Sequence, residues 1–360
     1  MLIRLFCFSL LLSGLAACGP ADNPLDDFQP VDPQETATIS LEELNIGSAE
    51  ELIAMNDQLF VLLDRTANRL HQITIDGSAE NMHLDIPSGS DVTSIATDGN
   101  GSLFVMDRYE GMVYGLQHEE DNFWSRKFEA SFRDHISDMP NRLMVSDEYF
   151  FIKSFAHGRP DDEYSEGKIY AFSKDGQVVS DAPKSFRMQN LTRDPLRQSG
   201  MPIPVPFSNT TVFDVNSVGN IWLGWSENVE LTAYSPEGSE QRKLRYDLTP
   251  AEPDMTELDE WLQTMDPELR NTIEAGLPEY LPVMHNLRIS DRDEVWMQIM
   301  ADETTTNTIV FDDDGNSLHQ MRLPLDFELK DVFGNTLAGI EQQVTGEQKI
   351  RVYTLDLAND

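Results

Sequence analysis

Leu59-Phe60-Val61-Leu62-Leu63-Asp64, then Arg69-Leu70-His71-Gln72-Ile73, then the turn Asp76-Gly77 is the stretch that decides the fold. An apolar run this short, closed by turn residues, reads as a buried strand, and the alternating run behind it as its antiparallel partner. The same unit returns five times. Leu103-Phe104-Val105-Met106-Asp107 precedes Met112-Val113-Tyr114-Gly115-Leu116, and Tyr149-Phe150-Phe151-Ile152 precedes Lys168-Ile169-Tyr170-Ala171-Phe172 and Asp175-Gly176. Ile221-Trp222-Leu223 precedes Leu231-Thr232-Ala233-Tyr234 and Glu237-Gly238, and Val295-Trp296-Met297 precedes Thr308-Ile309-Val310-Phe311 and Asp314-Gly315. Leu337-Ala338-Gly339-Ile340 precedes Ile350-Arg351-Val352-Tyr353. The markers at 59, 103, 149, 221, 295 and 337 are 44, 46, 72, 74 and 42 residues apart. A four-stranded propeller blade repeats about every 40–50 residues. The two long steps therefore carry insertions, and the expected fold is an all-β six-bladed propeller.

Each unit also has a candidate strand before its marker: Leu52-Ile53-Ala54, Val92–Ala96, Asn141–Val145, Thr211–Val215, Asn286–Ile289 and Leu329–Val332. The last unit lacks a fourth strand, and Thr38-Ile39-Ser40-Leu41 can supply it and close the ring. The propeller is expected over 37–357. The insertion from His157 to Phe207, rich in proline, reads as surface loop with little regular structure. The insertion at about 250–282, between blades 4 and 5, reads as helical. Met255, Leu258, Trp261, Leu262 and Met265 share one face, and Asp266-Pro267-Glu268 starts a second helix that Gly276 ends. Its expected place is against a blade, with a lid or docking hairpin as the alternative.

Residues 1–17 form a short charged start, an apolar run from Leu5 to Leu12 and small residues before Cys18. A run this short cannot span about 30 Å of hydrocarbon, so it reads as a secretory signal. Residues 18–36 carry Pro20, Pro24, Pro30 and Pro33 among polar residues and read as a disordered tether. With Cys7 inside the signal, no internal disulfide can form in the mature chain. The 63 acidic against 26 basic residues give −37. That excess disfavours nucleic acid, whose binding needs cations for the phosphates. It also disfavours adhesion to anionic lipid. Few lysines on so acidic a surface suggest a salt-rich habitat, where screening relieves self-repulsion.

Leu15-Ala16-Ala17-Cys18 resembles a bacterial lipobox, which implies cleavage before Cys18 and lipid attachment to it. The lipid would then be the membrane partner. The absence of an acidic residue after Cys18 favours the outer membrane, periplasmic or surface-facing. The six repeats, with Leu277-Pro278-Glu279-Tyr280-Leu281-Pro282 ahead of Val295-Trp296-Met297, resemble bacterial six-bladed β-propeller lipoproteins, related in pattern to the NHL-repeat and TolB-like propellers. That resemblance implies a fold and an address, with little chemistry.

No nucleophile elbow, zinc helix or phosphate loop is present. Asp312-Asp313-Asp314-Gly315 occupies the repeat's turn slot and reads as a turn ahead of a calcium loop. The recurring Phe60, Phe104, Phe150, Trp222 and Trp296 read as packing between blades. Polar residues near the inner strand starts are the candidate channel lining: Glu51, Asp91, Asn141, Thr210, His285 and Lys330. Lactonase-type propellers hold calcium with Glu, Asn and Asp at such positions, so the resemblance implies Glu51, Asp91 and Asn141 as calcium candidates and His285 as a candidate general base. The leading expectation is a monomeric, lipid-anchored module that binds a small ligand or an envelope protein without catalysis. The alternative is a calcium-dependent lactonase or esterase with its site in the channel.

Overall fold

The computed structural model describes residues 24–357, apart from 120–121, 156–162, 181–183, 194–201, 249, 251, 253–261, 301–304 and 344–345. Six sheets follow one another along the chain, antiparallel except for a two-residue parallel strand at the outer edge of the second and of the fifth. Their inner strands are Ala49–Ala54, Val92–Thr97, Met139–Val145, Thr211–Val215, Met284–Ile289 and Phe327–Phe333. Each is followed by its blade's second, third and fourth strands in spatial order, so the repeat read in the sequence is the blade. The sixth blade holds only Phe327–Phe333, Thr336–Gln342 and Gln348–Thr354 from the C-terminal end. Gln34–Ser40 pairs antiparallel with Gln348–Thr354 as its fourth strand and closes the ring.

A four-stranded sheet is apolar on both faces and must bury both. The core accordingly divides into six interblade layers. One joins Leu52, Phe60 and Leu62 to Ala338, Ile340 and Ile350 across blades 1 and 6. The next two join blades 1 and 2, then 2 and 3, the latter with Phe104, Phe150 and Phe172 in contact. Equivalent layers follow between blades 3 and 4, 4 and 5, and 5 and 6. Phe60, Phe104, Phe150, Trp222 and Trp296 are 0%, 4%, 0%, 2% and 1% exposed, so the recurring aromatic is interblade filling. Burying each such ring contributes roughly 2–3 kcal/mol.

The Asp-Gly turns share one geometry. Gly77, Gly176, Gly238 and Gly315 all have φ between 82° and 90°, which favours glycine. In each, the residue three before the glycine accepts its N–H, at 2.8–3.0 Å. Asp312 belongs to this set. Its carboxylate accepts the backbone N–H and the side-chain amide of Asn316, both at 2.7 Å, as a turn residue would.

Two expectations need correction. The tether over 18–36 is folded in its second half. Pro24–Asp27 forms a turn of 3-10 helix, and Gln29–Pro30 adds a parallel strand to blade 5. Phe28 is 2% exposed and lies edge-on to Tyr246 and Phe311. Phe28, with Leu25 and Val31 packed on neighbouring core layers and Gln320 bonding the backbone, docks the segment. The insertion after His157 is also not loop. Tyr164–Ser173 and Lys184–Arg193 are ten-residue strands, and Pro202–Pro204 adds a fifth strand to blade 3. The helix Pro267–Gly276 is present and packs against a blade, on this blade 3 extension. Ile273 and Leu262 bury against Ile203, Met265, Leu269 and Leu277. The apolar face over Met255, Leu258 and Trp261 lies outside the described residues.

The Asp266 side chain accepts the Glu268 N–H at 2.9 Å and caps this helix. Asp266→Ala should destabilise the helix by about 1 kcal/mol. Faster amide exchange confined to 267–276, with the propeller's melting temperature unchanged, is the expected result. A global loss of stability would instead make the insertion part of the propeller's cooperative unit.

Candidate functional site

The inner strands run side by side around a central channel. At the end where they finish, the channel opens into a cavity of about 680 Å³ lined by residues from all six blades. Its deeper wall is charged: Glu51 from blade 1, Arg142 from blade 3, Asp214 from blade 4, Arg288 from blade 5, and Lys330 and Asp331 from blade 6. Asp98, Asp147 and Asp291, on the turns after the inner strands, form an acidic rim.

Backbone irregularity puts these side chains there. Five of the six inner strands carry a β-bulge near their start, with Glu50, Thr93, Asn141, His285 and Lys330 as the extra residues. A bulge adds one residue to a strand and re-aims the side chains beyond it. Thus Arg142 and Asp331, each one residue past a bulge, face the cavity.

The charged side chains tie the blades together in a closed circuit. Glu51 accepts the Ser94 hydroxyl at 2.8 Å and the Ile95 N–H at 2.5 Å, joining blade 1 to blade 2. Ser94 Oγ accepts the Leu143 N–H of blade 3 at 2.9 Å. Arg142 reaches Asp214 of blade 4 at 3.5 Å, and Asp214 accepts the Ile289 N–H of blade 5 at 3.1 Å. Arg288 Nε donates to the Lys330 carbonyl of blade 6 at 2.6 Å. Asp331 returns to blade 1 by accepting the Ala54 N–H at 2.7 Å, while its other oxygen accepts the Val332 N–H at 2.9 Å.

These groups pay for their place in the channel with altered proton affinity. Burial pushes the Glu51 carboxyl up to about 7, against the opposing pull of its Ile95 and Ser94 hydrogen bonds. Burial likewise raises Asp331 to about 7, although the Ala54 and Val332 N–H groups favour its charged form. Lys153, paired with Arg142 in the strand register, is lowered to about 8 by burial and then by the Arg142 charge. Arg142 and Lys153 lie on the Phe213 ring, 5.1 and 4.6 Å from its centre. Burial also lowers Lys330, which pairs with Glu328 at 2.7 Å.

Of the residues singled out in the sequence, Glu51 and Lys330 line the cavity. Asp91, Asn141, Thr210 and His285 do not. Asp91 pairs with Arg65 at 3.5 Å and Arg108 at 3.7 Å. Asn141 is a bulge residue whose side-chain oxygen is buried and has no partner among the described residues. The Thr210 hydroxyl donates to the Met188 carbonyl, and its N–H donates to Ser226 Oγ at 2.8 Å. The His285 imidazole reaches solvent, but the protein around it disfavours the cation and pushes its pKa down to about 4. It is neutral at pH 7 and a poor proton acceptor. Among the described residues, no three His, Cys, Asp or Glu side chains converge on a metal position. Of the calcium candidates, Glu51 alone lines the cavity, where blade 2 engages it, and Asp91 is taken up by two arginines.

Arg142, Asp214, Arg288 and Asp331 were not singled out in the sequence. Their signal was adjacency: Arg142 and Asp331 directly follow two residues that were. No described helix is long and apolar enough to cross a membrane. The lipobox and Cys18 lie outside the described residues.

No family model matches the chain, and no curated protein matches it. Solved structures do. A member of the DUF4221 family from Bacteroides vulgatus is 9% identical, with 92% of this chain and 99% of that one covered and a TM-score of 0.51. A provisionally described exported protein from Bacteroides fragilis is 8% identical over 90% and 96% of the two chains, with a TM-score of 0.49. A protein provisionally named a gluconolactonase is 12% identical over 93% and 97%, with a TM-score of 0.46. What this chain shares with the DUF4221 protein is a fold, and the fold of this chain is a six-bladed β-propeller.

Proposed function

We propose that this chain is a lipid-anchored cell-envelope propeller whose channel mouth binds a small ligand. The observation that supports the site is the open cavity of about 680 Å³, to which every blade contributes. Small-molecule sites span roughly 300–1,000 Å³ and use a few well-placed polar groups. Here the polar groups are held by hydrogen bonds from neighbouring blades, so their positions are set before any ligand arrives. The same bonds argue against acid–base chemistry, since Glu51 and Asp331 are already occupied by backbone N–H groups. The support for the anchor is the lipobox ending at Cys18.

Two measurements test the two halves. Cys18→Ser should move the protein from the membrane fraction to the soluble fraction of cells. An unchanged distribution would remove the anchor. For the site, Thr97→Trp places an indole at the mouth from the end of the blade 2 inner strand. Small molecules that co-purify with the wild-type chain in native mass spectrometry should be absent from this variant. Equal retention by both would move binding elsewhere, including to a protein partner on the outer surface.

A further inference from the structure

The deeper wall mixes three cations with three carboxylates, but the carboxylates are engaged: Glu51 by Ser94 and the Ile95 N–H, Asp331 by the Ala54 and Val332 N–H groups, and Asp214 by Arg142 and the Ile289 N–H. What the wall leaves to a ligand is therefore its guanidiniums, and that identifies a class of ligand. Arg288 is the deep cation least committed to the protein. Its Nε and Nη1 donate to the carbonyls of Lys330 and Leu287, at 2.6 and 2.8 Å, and neither acceptor carries a charge. Among the described residues, no carboxylate lies within ion-pair distance of it and its Nη2 has no protein partner. Burial and then repulsion by Arg142 depress the proton affinity of Arg288, against the weaker pull of Asp214, Glu328 and Asp331 from beyond ion-pair distance. Among the described residues, Arg142 rests on the Phe213 ring and has one ion pair, the long 3.5 Å contact to Asp214. Two guanidiniums facing one cavity, with donors to spare, form a recognition pair for a planar anion.

The rim has the opposite sign. Asp147 and Asp291 each accept one neutral donor, Asn100 Nδ2 at 3.1 Å and the Gly334 N–H at 2.7 Å. Among the described residues neither has a cationic partner. The third rim carboxylate, Asp98, is neutralised by Lys174 at 3.5 Å.

A simple anion would be repelled by this rim and by a chain of net charge −37. A simple cation would meet Arg142, Arg288 and Lys330. A molecule with both charges, neutral overall, satisfies each layer. We propose that the cavity takes a short peptide, with its terminal carboxylate on Arg142 and Arg288 and its terminal ammonium at Asp147 and Asp291. This deepens the reading of the mouth as a binding site and rests on it.

The test is calorimetric titration of the full chain with trialanine, trialanine amide and N-acetyl-trialanine. Trialanine should bind. The amide should bind roughly tenfold or more weakly, because it forfeits a charge-assisted pair. The acetylated peptide should fall between them. Arg142→Gln should erase the difference between acid and amide. Arg288→Met should do the same, and Arg142→Gln keeps the test open if that variant fails to fold. Equal affinity for acid and amide overturns the proposal, as does the absence of binding by any of the three at millimolar concentration. If a neutral ligand is retained by the wild type and lost in Thr97→Trp, the mouth remains a binding site and the peptide assignment falls alone.

Discussion

A chain that begins at Glu42 should fail to fold, while one that begins at Pro24 should melt cooperatively like the full protein. The difference is Gln34–Ser40 and the segment ahead of it. This strand provides the outer edge of blade 6, with Ala37 opposite Val352, Thr38 opposite Arg351 and Ile39 opposite Ile350. Without it, Gln348–Thr354 becomes an open edge, and open edges recruit other chains. The apolar loss is concentrated. Ile39 and Leu41 are 6% and 2% exposed in the layer between blades 6 and 1, and Phe28 is 2% exposed in the layer between blades 4 and 5. Removing one buried large side chain already costs about 3 kcal/mol, and a whole domain is stable by only about 5–15 kcal/mol. The truncation also removes Glu35 from Arg351, whose remaining partner Glu341 is almost fully buried. Loss of the cooperative transition in circular dichroism, with aggregation, is the expected result. A synthetic peptide covering residues 34–41 should raise the melting temperature of whatever folds, by supplying the strand in trans. A truncated chain that melts within a few degrees of the full one would show that the ring closes without its clasp.

The clasp also shows what a sequence of this kind discloses. Strand order, blade count and closure were legible because each rests on short apolar runs with period two and on turns that demand glycine. Thr38–Leu41 could be assigned to blade 6 by counting, since the last unit was one strand short. The docked segment around Phe28 was not legible, because four prolines and a polar background outweigh a single aromatic in any compositional reading. The ten-residue strand Lys184–Arg193 was hidden for a related reason. Proline at 183 and 195 brackets it, and its apolar pattern is weak because it lies far from the ring's centre. The site was legible in part. Glu51 and Lys330 line the cavity, but in blade 3 it is Arg142 and not Asn141 that faces it, and in blade 6 Asp331, next to Lys330, carries the bond to blade 1. A β-bulge inverts the facing of everything after it, and these bulges have no glycine to announce them. Period-two reasoning reaches the right neighbourhood and then names the wrong neighbour.

Melting temperature should rise as pH falls from 8 to about 5.5, the reverse of ordinary acid destabilisation. Glu51 and Asp331 titrate near 7 in the folded protein, against ordinary values of 4.5 and 3.8. Between those limits the folded state binds more protons than the unfolded state, so stability declines as pH rises and levels off above about 7. A shift of one unit is worth about 1.4 kcal/mol, which sets an upper bound of roughly 3–4 kcal/mol for each group, reduced by whatever water the channel admits. Two other groups act in the opposite sense. His285, lowered to about 4, favours higher pH only below 6.5, and Lys153, lowered to about 8, only above that value. From pH 8 to 6.5 the two carboxyls are therefore unopposed, and below 6.5 one partly exposed imidazole works against both. The charges facing them do not reverse the sign. Arg142 lowers Glu51 and Arg288 lowers Asp331, but both effects are smaller than burial, and Glu50 and Asp214 add to the upward shift. The general repulsion of a chain at −37 pushes the same way, so the scan belongs in about 0.5 M salt, where screening shortens its reach to a few ångströms. Glu51→Gln keeps an oxygen for the Ile95 N–H and removes the titration, so it should remove close to half of the slope at little loss of stability at pH 8. Asp331→Asn keeps one acceptor for two N–H donors and should flatten the slope while lowering the whole curve. A slope left intact by both substitutions would place the titration outside the channel, and a wild-type melting temperature that drops through this window would mean the carboxyls stay ionised in the folded protein.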